Sequence, residues 1–260
     1  MISPPVTTEA IQQIFSGRED WQRLMAQAAD DSLDVYIDLK SPHAYLAVRP
    51  SLEIARDFRV AVNFLPYTLS YKTLGVSRTV GPDMTRQPES PAADRKARMY
   101  YAAAREYAHL QSLPFRSPHR LLDSSLAHRA FLFAKRQALE VPFAMWVYLN
   151  GWASGWRDFE LESAAQLKGA CEYVGVETTE FDAFVQPGGP GEAELQQIML
   201  TAEEEGLVGT PHYVFTDPGS GRRIGLFGRE HLALLRGKYL NAGLARHDDV
   251  TAAFSHAWQG

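Results

Sequence analysis

The stretch "DLKSPHAYLA", Asp38–Ala47, decides how this chain is read. An alternating run arrives at Lys40, with Leu33, Val35, Ile37 and Leu39 set against Asp34, Tyr36 and Asp38, the period-two pattern of a strand. Tyr45, Val48, Leu52 and Ala55 then recur at helical spacing. Between the two stand Ser41 and Pro42, residue types favoured at the N-cap and the first position of a helix. Val60, Val62 and Phe64 alternate again, so a strand, a helix and a strand follow one another as in a parallel βαβ unit. A helix start beside a strand end gathers unpaired N–H groups and favours an anion, and it lowers the pKa of a cysteine placed there. No cysteine occupies the turn, so a thiolate held at Ser41 would have to come from a ligand.

Outward from this turn, residues 8–29 have the spacing of an amphipathic helix through Ile11, Ile14, Phe15, Trp21, Leu24 and Met25. Beyond the βαβ unit the chain turns helical. "PESPAAD" (88–94) reads as a helix entry and "RKARMYYAAAREYAHL" (95–110) is rich in helix formers. Further helical stretches are expected near 124–139, 142–154, 160–174 and 178–185, and "QPGGPGE" (186–192) breaks the chain before a helix at 192–205 closed by Gly206. Strands return in "HYVFT" (212–216) and "RRIGLF" (222–227), joined by the turn-rich "DPGSG". A last helix is expected at 229–239, and "DDVTAAFSHAW" in the tail has the composition of a short one.

The order β-α-β, helical block, α-β-β-α is that of an α/β thioredoxin-like fold with a large inserted all-helical domain. The expected division is an N-terminal helical extension (1–31), a thioredoxin-like domain (32–72 and 205–240), a helical insertion (73–204) and a tail (241–260). At 260 residues and 45% hydrophobic content the chain can bury a large core. Its net charge of −5, without a Lys/Arg block, gives no electrostatic footprint for nucleic acid. The single cysteine, Cys171, leaves no disulfide, CxxC or zinc site within the chain, and its place in a helical stretch suggests a buried small hydrophobe. No apolar run approaches the ~20 residues of a membrane span, and "MISPPVTTEAIQQIF" has neither a basic nor an apolar leader region. A cytoplasmic protein with no membrane partner is therefore expected.

A second motif, "GLVGTPHYVF" (206–215), places Thr210 and Pro211 directly before a strand, after a Gly-ended helix. Proline is the residue for which a cis peptide costs little, and such a turn would leave the Thr210 backbone open to an extended ligand.

With both motifs in order, the chain resembles the 2-hydroxychromene-2-carboxylate isomerase family and the related kappa-class glutathione transferases, within the DsbA-like thioredoxin group. "DVYIDLKSPHAYLA" is similar to that family's aromatic-rich strand followed by Ser-Pro-Tyr-x-Tyr-Leu, and to a DsbA Cys-Pro-His-Cys site in which Ser41 and Ala44 replace the sulfurs. "LPYTLSYKTLG", "REYAHLQSLPFRSP", "DSSLAHRA", "LVGTPHYVF" and "LFGREHLALL" resemble further family segments, so that roughly 33–240 is covered. The resemblance implies a glutathione-dependent isomerase of a conjugated aromatic acid, working through a bound thiolate, with a kappa-like transferase or a non-catalytic thioredoxin-fold binding protein as alternatives. It also implies a homodimer and a small aromatic or electrophilic substrate. Ser41 would donate a hydrogen bond to the glutathione sulfur and Thr210 would pair through its backbone with the cysteinyl part, in a turn shaped by Pro211. Glu230 would receive the γ-glutamyl ammonium and Lys72 a carboxylate. His43 and Trp152 are candidates for the substrate pocket.

The chain departs from the family at Val76, where an Asn is common, and at Arg229, where a small or amide residue is usual. Glu230 replaces an aspartate and His43 a tyrosine. Eight histidines are scattered without metal-ligand spacing; only His43 and His212 are expected near the site. "QPGGPG" lacks the Lys-Ser/Thr of a phosphate-binding loop, and no GxSxG elbow is present.

Overall fold

The computed structural model describes residues 23–70, 79–80, 86–87 and 90–254. Most of the expected N-terminal helix, and with it Lys72 and Val76, lies outside these residues.

Four strands form one mixed sheet in the order β2-β1-β3-β4: β1 Asp31–Ile37, β2 Val60–Pro66, β3 His212–Thr216 and β4 Arg223–Phe227. β1 pairs parallel with β2 in the register Leu33 to Val62, and antiparallel with β3 in the register Leu33 to Phe215. β3 and β4 close as the antiparallel hairpin expected around "DPGSG". The alternation in β1 separates two faces of the sheet. Leu33, Val35 and Ile37 enter the large core together with Val62, Phe64 and Phe215. Tyr36 points the other way and meets Val214, Leu207 and Ala202.

Helices cover both faces. After β1 come α1 (Pro42–Tyr45) and α2 (Val48–Asp57), then α3 (Pro91–Leu110), α4 (Ser125–Lys135), α5 (Glu140–Ser154), α6 (Ala164–Tyr173), α7 (Phe181–Val185), α8 (Pro190–Glu204) and, after β4, α9 (Leu232–Asn241). α4 is the pivot of the helical layer, packing on α5, α6, α7, α8 and β2 through Ala127, Ala130, Phe131, Leu132 and Ala134. Its buried residues share one continuous core with the sheet. α8 is part of the stretch 73–204 yet lies on the sheet, with Ala202 against Tyr36 and Val214. Gly206 ends it at φ +79°, the left-handed conformation a helix terminus uses to turn the chain away, and this delivers Thr210 and Pro211 to the edge of β3. The described tail is not helical beyond Asn241. It is tied down where the Arg59 guanidinium donates to the carbonyls of Gly243 and Ala245.

Candidate functional site

Ser41 occupies the expected cap. Its backbone is extended (φ −86°, ψ 121°), Pro42 stands at the first helical position, and its Oγ accepts from the Ala44 N–H at 3.3 Å. The helix it caps is shorter than the apolar spacing predicts: α1 is a single turn, and α2 begins anew at Val48. Pro50 explains the break. It has no N–H to offer the Leu46 carbonyl, which accepts instead from Gln111 Nε2 at 3.3 Å. The field at Ser41 is therefore that of a few local N–H groups and not of a long helix.

Thr210–Pro211 is a cis peptide, as the Thr-Pro motif predicts. The Ser41 hydroxyl donates to the Thr210 carbonyl at 3.4 Å, so the two motifs meet although 169 positions apart. The Gly228 N–H donates to the Pro211 carbonyl at 3.0 Å and brings the β4–α9 turn, with Arg229 and Glu230, to the same place. Gly209 leaves room for Phe227, since a Cβ there would lie 2.6 Å from the ring.

These segments surround a cavity of about 470 Å³, within the usual range of small-molecule sites. Ser41, Pro42 and His43 line one side, and Gly209, Thr210, Pro211 and Phe227 the next. Arg229 and Glu230 stand at the β4–α9 turn, while Leu69 and the α3 residues Ala97, Tyr100, Tyr101 and Tyr107 form the apolar wall. Ser41, His43, Thr210, Pro211 and Glu230, all singled out in the sequence, are thus together. Trp152 corrects the expectation placed on it. It is fully buried and does not line the cavity, because its ring is stacked on Phe115 (4.9 Å between centroids) and against Tyr45 (6.4 Å) inside the helical layer. His212 also lies away from the cavity: the alternation of β3 turns it to the opposite sheet face from Tyr213, beside Tyr36. Cys171 is buried as expected, and burial pushes its thiol up to about 12, so it is no nucleophile.

Two groups of charge border the cavity. Beneath Ser41, buried Asp38 is held by the Lys40 ammonium at 3.0 Å, the Ser124 hydroxyl at 2.6 Å, the Lys40 N–H at 3.0 Å and the Leu69 N–H at 2.8 Å. Burial alone would raise this carboxyl, but Lys40 and the hydrogen bonds outweigh it and hold the pKa well below the ordinary value. His128 sits beside it as a satisfied core histidine, accepting from the Leu39 N–H at Nε2 (3.0 Å) and bonded to Thr68 Oγ1 at Nδ1 (2.7 Å). Sequence reasoning missed this network, whose members lie just after β1, in the loop after β2 and at the start of α4. The one available signal was the pair of opposite charges in "DLK", directly after the apolar end of β1.

The second group is at the β4–α9 turn. Arg229 is 5% exposed, its guanidinium lies 4.4 Å above the centre of the Tyr107 ring, and its Nη1 has no hydrogen-bond partner among the described residues. His43 Nε2 and Thr210 Oγ1 are likewise buried without a partner. Burial, and after it the Arg229 charge, lowers the His43 pKa to about 4, so the imidazole is neutral at neutral pH. No group of residues suited to a metal ion is found among the described residues, nor any helix long and apolar enough to cross a membrane.

The model of the DSBA-like thioredoxin domain matches residues 32–240. The fold is similar to that of a 2-hydroxychromene-2-carboxylate isomerase, with 18% identity, a TM-score of 0.59 and 79% of this chain and 93% of that one covered. It is similar as well to the cytosolic disulfide reductase DsbM from Pseudomonas aeruginosa solved with GSH, with 17% identity, a TM-score of 0.55 and 82% and 97% covered. No curated protein matches the sequence.

Proposed function

We propose a function from one premise: this chain belongs to the DsbA-like thioredoxin family. Within it, the chain acts as a glutathione-dependent isomerase of the 2-hydroxychromene-2-carboxylate isomerase type, on a conjugated aromatic acid. The observation that supports this is the pairing of Ser41 Oγ with the Thr210 carbonyl of the cis Thr-Pro peptide, on the wall of a cavity with an apolar face. A family member that works through its own pair of thiols needs two cysteines, and this sequence has one, buried far up its pKa scale.

The residues present suit the thiol. The Ser41 hydroxyl spends its proton on a long, 3.4 Å bond to the Thr210 carbonyl that it can exchange for a better acceptor. Glutathione, when bound, supplies a thiolate able to add reversibly to a conjugated carbon. Ser41 would hold the sulfur with its hydroxyl and, with the nearby N–H groups, would favour the ionised form, so its role is that of an activator and not a nucleophile. The Thr210 backbone aligns the cysteinyl part, Glu230 on the rim takes the ammonium, and Lys72 is assigned a carboxylate. Tyr100, Tyr101 and Phe227 hold the substrate ring and exclude water. In this proposal the enzyme is a cytoplasmic homodimer.

The test is calorimetric titration of wild type and Ser41→Ala with reduced glutathione, beside the ultraviolet absorbance of the bound thiolate. Ser41→Ala should bind within about threefold of wild type yet lose the thiolate signal, and turnover of a chromene carboxylate should fall by about 10²-fold. Absence of glutathione binding to the wild type would sink the proposal.

A further inference from the structure

Arg229 is the charge that folding leaves unsettled. A guanidinium withdrawn from water is destabilising unless hydrogen bonds and an opposite charge replace the lost hydration. Among the described residues no carboxylate lies within ion-pair distance of Arg229; Glu230, exposed on the rim, attracts it from farther away without a hydrogen bond. Packing against Tyr107 fixes the plane of the guanidinium but satisfies none of its N–H donors. Two more residues of the cavity wall each carry a buried polar atom in the same state, the Thr210 hydroxyl and His43 Nε2. A site with a fixed cation, a hydroxyl and an imidazole nitrogen, and with tyrosine rings beside them, is chemically complete only with an oxyanion on an otherwise apolar molecule.

We propose that Arg229 is a specificity-determining residue, forming with Thr210 and His43 a subsite for the carboxylate of the second ligand and making the cavity select anionic over neutral electrophiles. The subsite deepens the thiol reading, since it assigns the acid group of the substrate to a side chain distinct from Ser41 and Glu230. Arginine suits the task because its planar fork matches both oxygens of a carboxylate. The orientation follows as well. With its acid group at the β4–α9 turn, a flat conjugated ligand lies along the wall of Tyr107, Tyr100 and Phe227.

The experiment needs no thiol and no turnover. Cinnamate and its neutral isostere cinnamamide are titrated calorimetrically into the full-length wild type and into Arg229→Gln and Arg229→Lys. Wild type should prefer cinnamate by at least about tenfold, as expected for charge-assisted hydrogen bonds to a buried cation. Arg229→Gln should bring the two ligands within about twofold by weakening cinnamate and sparing the amide, and Arg229→Lys should restore part of the preference. Equal affinity of the wild type for both ligands, no binding of cinnamate, or a preference that survives in Arg229→Gln would each overturn the proposal. If Arg229→Gln does not fold, the wild-type comparison and Arg229→Lys decide. A glutathione titration run alongside keeps the two questions apart: its failure removes the thiol reading, whereas loss of acid selectivity removes only the subsite.

Discussion

The two charged groups on either side of the cavity are built in opposite ways. Asp38 and Lys40 are buried with every charge answered, by each other, by Ser124 and by backbone N–H groups. Arg229 is also buried, yet it has no ion pair among the described residues: it packs on the face of a tyrosine and is attracted by Glu230 only from beyond contact distance. The first arrangement joins three parts of the chain: the end of β1, the loop after β2 and the start of α4. The second has no side-chain hydrogen bond at Arg229 Nη1 and belongs to the cavity wall. A closed polar network serves the fold and an open one awaits a ligand, which gives a way to tell them apart by measurement.

The largest expected difference is in stability. Asp38→Ala would leave the Lys40 ammonium buried without its partner, and removing one member of such a pair costs about 3–5 kcal/mol. Arg229→Gln removes a charge with no ion pair among the described residues, so its cost should stay within about 2 kcal/mol, the worth of a desolvated contact with the Tyr107 ring. Urea unfolding of the two variants checks this, and similar losses in both would erase the distinction. The same contrast should show in acid. The folded pKa of Asp38 is depressed, so its stabilisation is present in full above the unfolded value of about 4 and is lost as pH falls below it. In Asp38→Asn the acid limb of the stability profile should be shallower than in wild type.

The site was legible in the sequence where chemistry is local. The Ser-Pro cap, the Thr-Pro turn and the strand alternation each depend on a few neighbouring residues, and the sheet, its hairpin and the meeting of Ser41 with Thr210 follow from them. Trp152 was illegible because helical spacing says which residues share a face, not whether that face meets a cavity or, as here, Phe115 and Tyr45. The break between α1 and α2 needed attention to Pro50, whose missing N–H outweighed an unbroken apolar pattern. The Asp38 network was hidden because its partners lie up to 90 positions away, where no spacing rule reaches.

A smaller effect is expected at the backbone of the open side. Gly228 has φ 110° and ψ 148°, a region nearly closed to other residues, and its N–H is bonded to the Pro211 carbonyl. A Cβ there would strike the Glu230 carboxylate. Gly228→Ala should therefore cost about 1–3 kcal/mol. It should also disturb cinnamate selectivity by displacing Arg229, while Gly243→Ala, at φ 71° but away from the cavity, should lower stability alone. Unchanged selectivity in Gly228→Ala would mean that this turn does not position the guanidinium.

The smallest effect is read at His43, where the two sides of the cavity meet. Its pKa of about 4 is set first by burial and next by the charge of Arg229. A histidine depressed in the folded state contributes stability in full above the unfolded value of about 6.5 and loses it as pH falls toward the folded one. In Arg229→Gln burial remains and the repulsion goes, so the pKa should rise but stay below the ordinary 6.5. Proton NMR of the imidazole follows this directly. Saturating cinnamate should act in the same direction in the wild type, because a carboxylate at the subsite offsets the guanidinium and offers the imidazolium a partner. It should act little in Arg229→Gln, where that carboxylate is no longer held. An imidazole indifferent to both changes would place Arg229 and His43 in separate environments, and the three unpartnered atoms would then not form one subsite.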